Sequence, residues 1–248
     1  MILQKIVSKI LATLCSKLLQ LLNNRSTISL NREEIRNVKI SFAQCGEDLL
    51  ISRLMRKLNP NDGIYVDVGA FDPITISNTL MLYKAGWRGI NIDLDDDKID
   101  KFKINRPGDF SVVAAISDKE QLLRVIRYPG RATNRVVALN ESESNLDSVI
   151  GEKPISKSVI KSRNLTEIIK DSPFSKMPIH YLNIDCEDHD INVLRSLNFT
   201  HYLPCVISIE AHSEQQSQEM ANFLSPLNYK IESIIGHTII FVSSHLEW

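Results

Sequence analysis

What this 248-residue chain lacks narrows its chemistry before any motif is read. Only nine residues are glycine, and none builds the G-x-G-x-x-G turn that brings backbone N–H groups to a dinucleotide's pyrophosphate. A G-x-x-x-x-G-K-[ST] loop is missing too, so phosphate-bearing ligands are poor candidates. The four cysteines, Cys15, Cys45, Cys186 and Cys205, include no C-x-x-C pair. They point to neither a zinc site nor a disulfide framework, but to buried thiols kept reduced. No stretch of about 20 nearly uncharged apolar residues exists to span a membrane. Lys9 and Lys17 interrupt the first apolar stretch and no small-residue cleavage site follows it, so a secretory signal does not fit.

Acid is absent from residues 1–32, which hold five of the 29 basic residues and none of the 30 acidic ones, leaving the body with a net charge of −6. An acidic body argues against nucleic acid as a partner. In "MILQKIVSKILATLCSKLLQLLNNR" the apolar residues recur at helical spacing, giving a broad basic amphipathic face. That helix can lie on an anionic membrane surface through residues 1–23, or pack on protein. The expected organisation is therefore an amphipathic helix and linker over 1–40 and a main domain over 41–248. The location read from this is cytoplasmic, with a peripheral contact at the inner membrane face open to the arm.

What is present is alternation, and with 43% hydrophobic residues the chain can bury a proper core. Ser41 with Gln44 reads as a capping box for a helix carrying Leu49, Leu50, Leu54 and Leu58. Strands follow at 63–68, 88–94, 110–117, 179–185 and 205–210. Between them, helices are expected after a cap at Ser77 or Asn78, near 96–105, in "HDINVLRSL" and at about 214–225. The runs 229–235 and 238–242 read as an antiparallel terminal pair. This pattern predicts an α/β fold, a mostly parallel sheet with helices on both faces. Residues 119–162 are polar and turn-rich, either a surface insertion or a lid over the sheet's carboxyl edge.

The first strand runs into "YVDVGAFDP", a turn with one glycine and two acids. A ligand that is cationic and rich in hydroxyls suits it better than a phosphate, and S-adenosylmethionine carries a sulfonium, an ammonium and a ribose diol. Asp67 would supply negative charge, Gly69 a close backbone approach, and Asp93, at the end of the second strand, would accept from the diol. Ser117 and Asp118 end the third strand, where adenine contacts would follow. Asp95, Asp96 and Asp97 read as caps of the next helix.

Three blocks, "SFAQCGEDLL", "YVDVGAFDPITISNTLMLYKAGWRGINIDL" and "YLNIDCEDHDINVLRSLNF", together resemble the FkbM-type methyltransferases over about residues 41–118 and 163–210. The resemblance implies a class I S-adenosylmethionine-dependent (Rossmann-like) fold with a seven-stranded sheet, and O-methylation of hydroxyls on sugars or macrocyclic natural products. On its motifs Asp67 and Gly69 match the cofactor turn and Asp93 the ribose acid. Asp185 and Glu187 match the acids of an I-D-x-E-G signature in which Asp188 replaces the glycine. Phe71 and Asp72 stand where polar residues or glycine are common.

A sugar hydroxyl is a weak nucleophile until its proton is removed, so a positioned base is expected. Asp185 would lie nearest the cofactor, with Glu187 or His189 as the base and Asp188 as a helix cap. No metal site is assigned, although Glu210 and His212 could join Asp185 or Glu187 around a divalent cation; lining the substrate cavity is the role read for Glu210. The expected partner is a sugar hydroxyl of a glycan or glycolipid. The alternative is a non-catalytic, methyltransferase-like binding module in a glycan-assembly complex, and a nucleotide-sugar oxidoreductase is disfavoured by the missing glycines.

Overall fold

The chain divides into two units, residues 1–40 and 41–248, and the computed structural model describes residues 30–58, 62–129, 134–139 and 153–246. The helix expected in the arm lies outside the described residues. In the first unit the expected linker contains a short helix, α1 (Arg32–Asn37). It forms because Asn31 accepts from the Glu33 and Glu34 N–H groups while Glu34 reaches back to the Asn31 N–H, a complete capping box.

The second unit is built on a seven-stranded sheet. β1 (Ile64–Val68) lies between β2 (Arg88–Asp93) and β8 (Tyr181–Ile184), parallel to both. β3 (Phe110–Val113) extends the sheet beside β2, and β9 (Val206–Glu210) beside β8. β11 (Thr238–Ser243) runs antiparallel to both β9 and β10 (Tyr229–Ile235). The sheet is thus mixed rather than mostly parallel. The cause is local: Gly236, at φ 59°, turns the chain in a two-residue hairpin, and the returning strand is the one that inserts next to β9. The order reverses between β1 and β8, and at such a switch point the strand ends leave a crevice.

Residues alternate between two apolar layers. Val66, Val68, Ile90, Ile92, Leu182 and Ile184 face α5 (Leu165–Asp171), α6 (Asp190–Arg195) and α7 (Glu214–Leu224). Tyr65, Tyr181, Val206 and Ile240 face α2 (Glu47–Leu58) and α3 (Leu80–Lys84). α2 begins later than the Ser41 signal predicts: Ser41 donates to Asp48, inside the helix, and Gly46 at φ 90° makes the turn into it. Glu47 and Asp48 at its start and Arg56 and Lys57 at its end suit the helix dipole.

The third predicted strand is two. Ala114 N–H bonds the Asp93 carbonyl, and the chain leaves the main sheet for β4 (Ala115–Ile116). β4 belongs to a four-stranded sheet with β7 (Ser156–Arg163), β5 (Leu122–Arg127) and β6 (Arg135–Ala138), in the order β4-β7-β5-β6. Most of the described part of 119–162 is therefore strand. Among the described residues no helix is long and apolar enough to cross a membrane. Cys45 is exposed and Cys186 and Cys205 half-buried, so the expectation of buried thiols fails for Cys45.

Candidate active site

A cavity of about 320 Å³ opens at the carboxyl ends of β1, β2, β8 and β9. Its first wall is the turn after β1. Gly69 sits at φ 78°, and a Cβ there would come within 1.7 Å of the Asp185 carbonyl oxygen. What comes close at Gly69 is thus the end of β8, a contact that only glycine permits. Asp67, 2% exposed, accepts from the Thr79 hydroxyl at 2.6 Å and the Asn183 amide at 2.9 Å, and burial raises its carboxyl above the ordinary range. Thr79 is the N-cap of α3 in place of Ser77 or Asn78, but its hydroxyl serves Asp67 instead of the helix.

Fully buried Arg106 fixes the loop from 73 to 79. It donates to the Pro73 carbonyl, Ser77, Thr79 and Tyr65, and stacks near Phe102 and Tyr83. Asp72 turns away from the cavity: it accepts from Ile74 and Thr75 N–H and pairs with Lys101 at 3.1 Å. Phe71, at φ 55°, has its N–H held by Asp93 at 2.9 Å.

Asp93 also accepts from Asp95 N–H, and the Lys98 ammonium lies 3.3 Å away; burial pushes its carboxyl up and Lys98 opposes the push. Asp95 is the N-cap of α4 (Asp96–Asn105), but its side chain makes no cap bond. It binds Arg127 at 2.6 Å and Asn134 at 2.7 Å, tying the second sheet to the first. Asn134 and Val136 reach the cavity wall from that sheet.

The opposite wall is the turn after β8. Glu187 and Asp188 both have left-handed backbone, φ 52° and 74°. Asp tolerates that conformation better than most residues, so Asp188 stands in a backbone region that glycine would also suit. It is not a cap, for His189 holds the N-cap position of α6. Instead Asp188 is gripped by Arg135 from β6 and Gln216 from α7, each at 2.8 Å. Glu187 lies 3.8 Å from Arg135, and burial together with the nearby Asp185 charge raises its carboxyl to about 7. His189 is 9% exposed and its Nδ1 meets the Asn192 amide at 3.2 Å. Asp185 and Glu210 share a hydrogen bond; burial pushes both up, Glu210 to about 9, so the pair retains a proton at neutral pH.

Of the residues singled out from the sequence, Asp67, Gly69, Asp93, Asp185, Glu187, His189, Glu210 and His212 border this one cavity. Ser117 and Asp118 do not; Ala114, Ala115 and Ile116 take that wall, because the chain has already crossed to the second sheet. Asp118 borders a second hollow of about 460 Å³, which shares Val136, Glu187 and His189 with the first. Asn78, read from the sequence only as a helix cap, and Asn183, which the sequence reading passed over, are joined at 3.1 Å and line the cavity. A lone Asn inside the apolar strand "YLNI" was the available signal for the second of them.

A family model described as the Methyltransferase FkbM domain matches residues 67–231. No curated protein matches the sequence. Among solved structures, the chain is similar to a TehB-like SAM-dependent methyltransferase from Corynebacterium glutamicum, with 14% identity and a TM-score of 0.39 over 78% of this chain and 87% of that one. It is also similar to precorrin-6y C5,15-methyltransferase from Geobacter metallireducens, with 9% identity and a TM-score of 0.41 over 83% and 90% of the two chains.

Proposed function

Because the chain belongs to the FkbM methyltransferase family and takes S-adenosylmethionine as its methyl donor, we propose that it methylates a hydroxyl oxygen, a sugar hydroxyl of a glycan or glycolipid. The donor set suits that cofactor. Five carboxyl groups, those of Asp67, Asp93, Asp185, Glu187 and Glu210, border the cavity, and Lys98 already lies against Asp93 and Asp95. An electronegative lining favours a sulfonium and an ammonium and disfavours phosphate.

Asp93 would accept from the ribose diol, and the Asp67–Gly69 turn and Asp185 would face the methionine end. The adenine end, expected at Ser117 and Asp118, is assigned to the wall of Ala114, Ala115 and Ile116. When bound, the cofactor supplies an electrophilic methyl carbon; the chain's own residues align the acceptor, exclude water and take its proton. The carrying observation is that Glu187 and His189 border the same cavity as Gly69 and Asp93. A carboxylate whose pKa is raised to about 7 is poised to remove a proton at neutral pH.

Calorimetric titration with S-adenosylmethionine should show binding that Asp93→Ala weakens at least about tenfold, the loss of one or two hydrogen bonds to a charged acceptor. Screening glycan acceptors with labelled donor should then give turnover that Glu187→Gln or His189→Ala lowers about a hundredfold with little change in cofactor affinity. Full turnover in both variants would reject the assignment of the base.

A further inference from the structure

The ends of β8 and β9 bring Glu187, Glu210 and His212 together, one ligand atom from each, all within 4.8 Å of one another. The set joins two carboxylates to an imidazole, the donors that hard and borderline divalent ions accept. Its internal geometry points the same way. Glu210 Oε2 and His212 Nε2 are 3.1 Å apart, and two cis ligands at about 2.1 Å from one ion stand about 3 Å apart. Glu210 Oε2 is buried without a hydrogen-bond partner, so that contact is not directed as a hydrogen bond. Both atoms are spaced to serve a third centre.

Charge and second-layer contacts agree. Asp185, Glu187 and Glu210 converge there, while Arg135 makes its shorter contact, 2.8 Å, with Asp188 and stands 3.8 Å from Glu187. Asp185 is hydrogen-bonded to Glu210. Gln216 Oε1 accepts from the His212 and Ser213 backbone N–H groups in the capping box of α7, and its Nε2 donates to Asp188. Of these, the Asp185 contact with Glu210 is the kind that orients a ligand in a metal site.

We propose that Glu187, Glu210 and His212 bind a divalent cation of the Mn2+ type, with Asp185 orienting Glu210, and with the remaining coordination positions open to water or to the acceptor. The binding stands on these residues alone; its use rests on the hydroxyl-transfer reading. A hydroxyl on the ion loses its proton more readily. In that case Glu187 serves as a ligand and the proton passes to His189. The oxygen lone pair forms the O–CH3 bond, and the S–CH3 electron pair stays on sulfur as the neutral thioether.

The test is titration of Mn2+ into the full chain, following the free ion by electron paramagnetic resonance, with calorimetry of S-adenosylmethionine on the same preparations. One ion per chain with a Kd of about 100 μM or tighter is expected. His212→Ala, at an exposed position, and Glu210→Gln should each weaken it at least about tenfold, the cost of one ligand, and His212→Ala should retain cofactor affinity. Cofactor binding without Mn2+ uptake at about millimolar ion, or uptake that both variants leave unchanged, overturns the site. Mn2+ uptake lost in the variants, without cofactor binding, upholds the site and overturns the reading of the cavity.

Discussion

Asp190 shows how one buried residue couples the stability of the fold to pH. It opens α6, is 2% exposed, and accepts from the Cys186 N–H at 2.9 Å. Burial raises its carboxyl to about 7, against the bond from Cys186, whereas the unfolded chain releases that proton near pH 4, at about the ordinary value for Asp. The folded state therefore holds the extra proton between those limits. The stabilisation is complete below pH 4 and is lost as pH rises through 7, with a slope of at most about 1.4 kcal/mol per pH unit. Asp190→Asn keeps an acceptor for Cys186 and cannot ionise. Urea unfolding at pH 5 and pH 8 should find the variant flatter with pH and the more stable of the two at pH 8; parallel profiles would refute the burial argument. Among single residues, those legible in the sequence, Asp67, Gly69 and Asp93, each end a strand or open its turn, which is a local signal. Arg106 was not legible, since its partners at 65, 73, 77 and 79 are brought to it only by the fold.

At the scale of elements, what the sequence disclosed is what periodicity can disclose. β1, β2, β8 and β9 are apolar runs buried on both faces, and their predicted limits differ from the observed ones by no more than two residues. β7 reads "SKSVIKSR" and is mostly exposed; its contribution is backbone pairing with β4 and β5, which leaves no hydrophobic pattern. The two sheets meet at Asp95, whose 7% exposed side chain binds Arg127 of β5 and Asn134 beside β6. Asp95→Ala removes both bonds and leaves the Arg127 charge poorly partnered, at a cost of about 3 kcal/mol. Hydrogen exchange should then show lost protection in β5 and β6 while β1 and β2 keep theirs. Equal loss in all four strands would mean that the second sheet does not open separately, and no loss would mean that Asp95 is not its anchor.

For the whole molecule, the alternation of strands and helices conveyed the main sheet, and the point where its order reverses followed from β8 returning beside β1. What composition adds is an uneven charge. The body carries a net −6 and its cavity is lined with carboxylates, so an anionic surface repels it. The first 32 residues carry five basic groups and no acid. If, of the two acceptors proposed, the glycolipid is the one used, contact with the membrane falls to the arm. Residues 1–23 hold Lys5, Lys9 and Lys17 among apolar residues that recur at helical spacing in the sequence. Each Lys is worth about 1 kcal/mol near an anionic leaflet, an attraction that salt screens, while the apolar face contributes a part that salt leaves. Flotation with anionic vesicles should therefore carry the full chain at low salt and less of it at high salt, and should fail when residues 1–23 are deleted. Flotation that survives high salt but not the deletion would assign the contact to the apolar face. Flotation unchanged by the deletion would leave the arm a protein-packing helix and remove the argument for a lipid-linked acceptor.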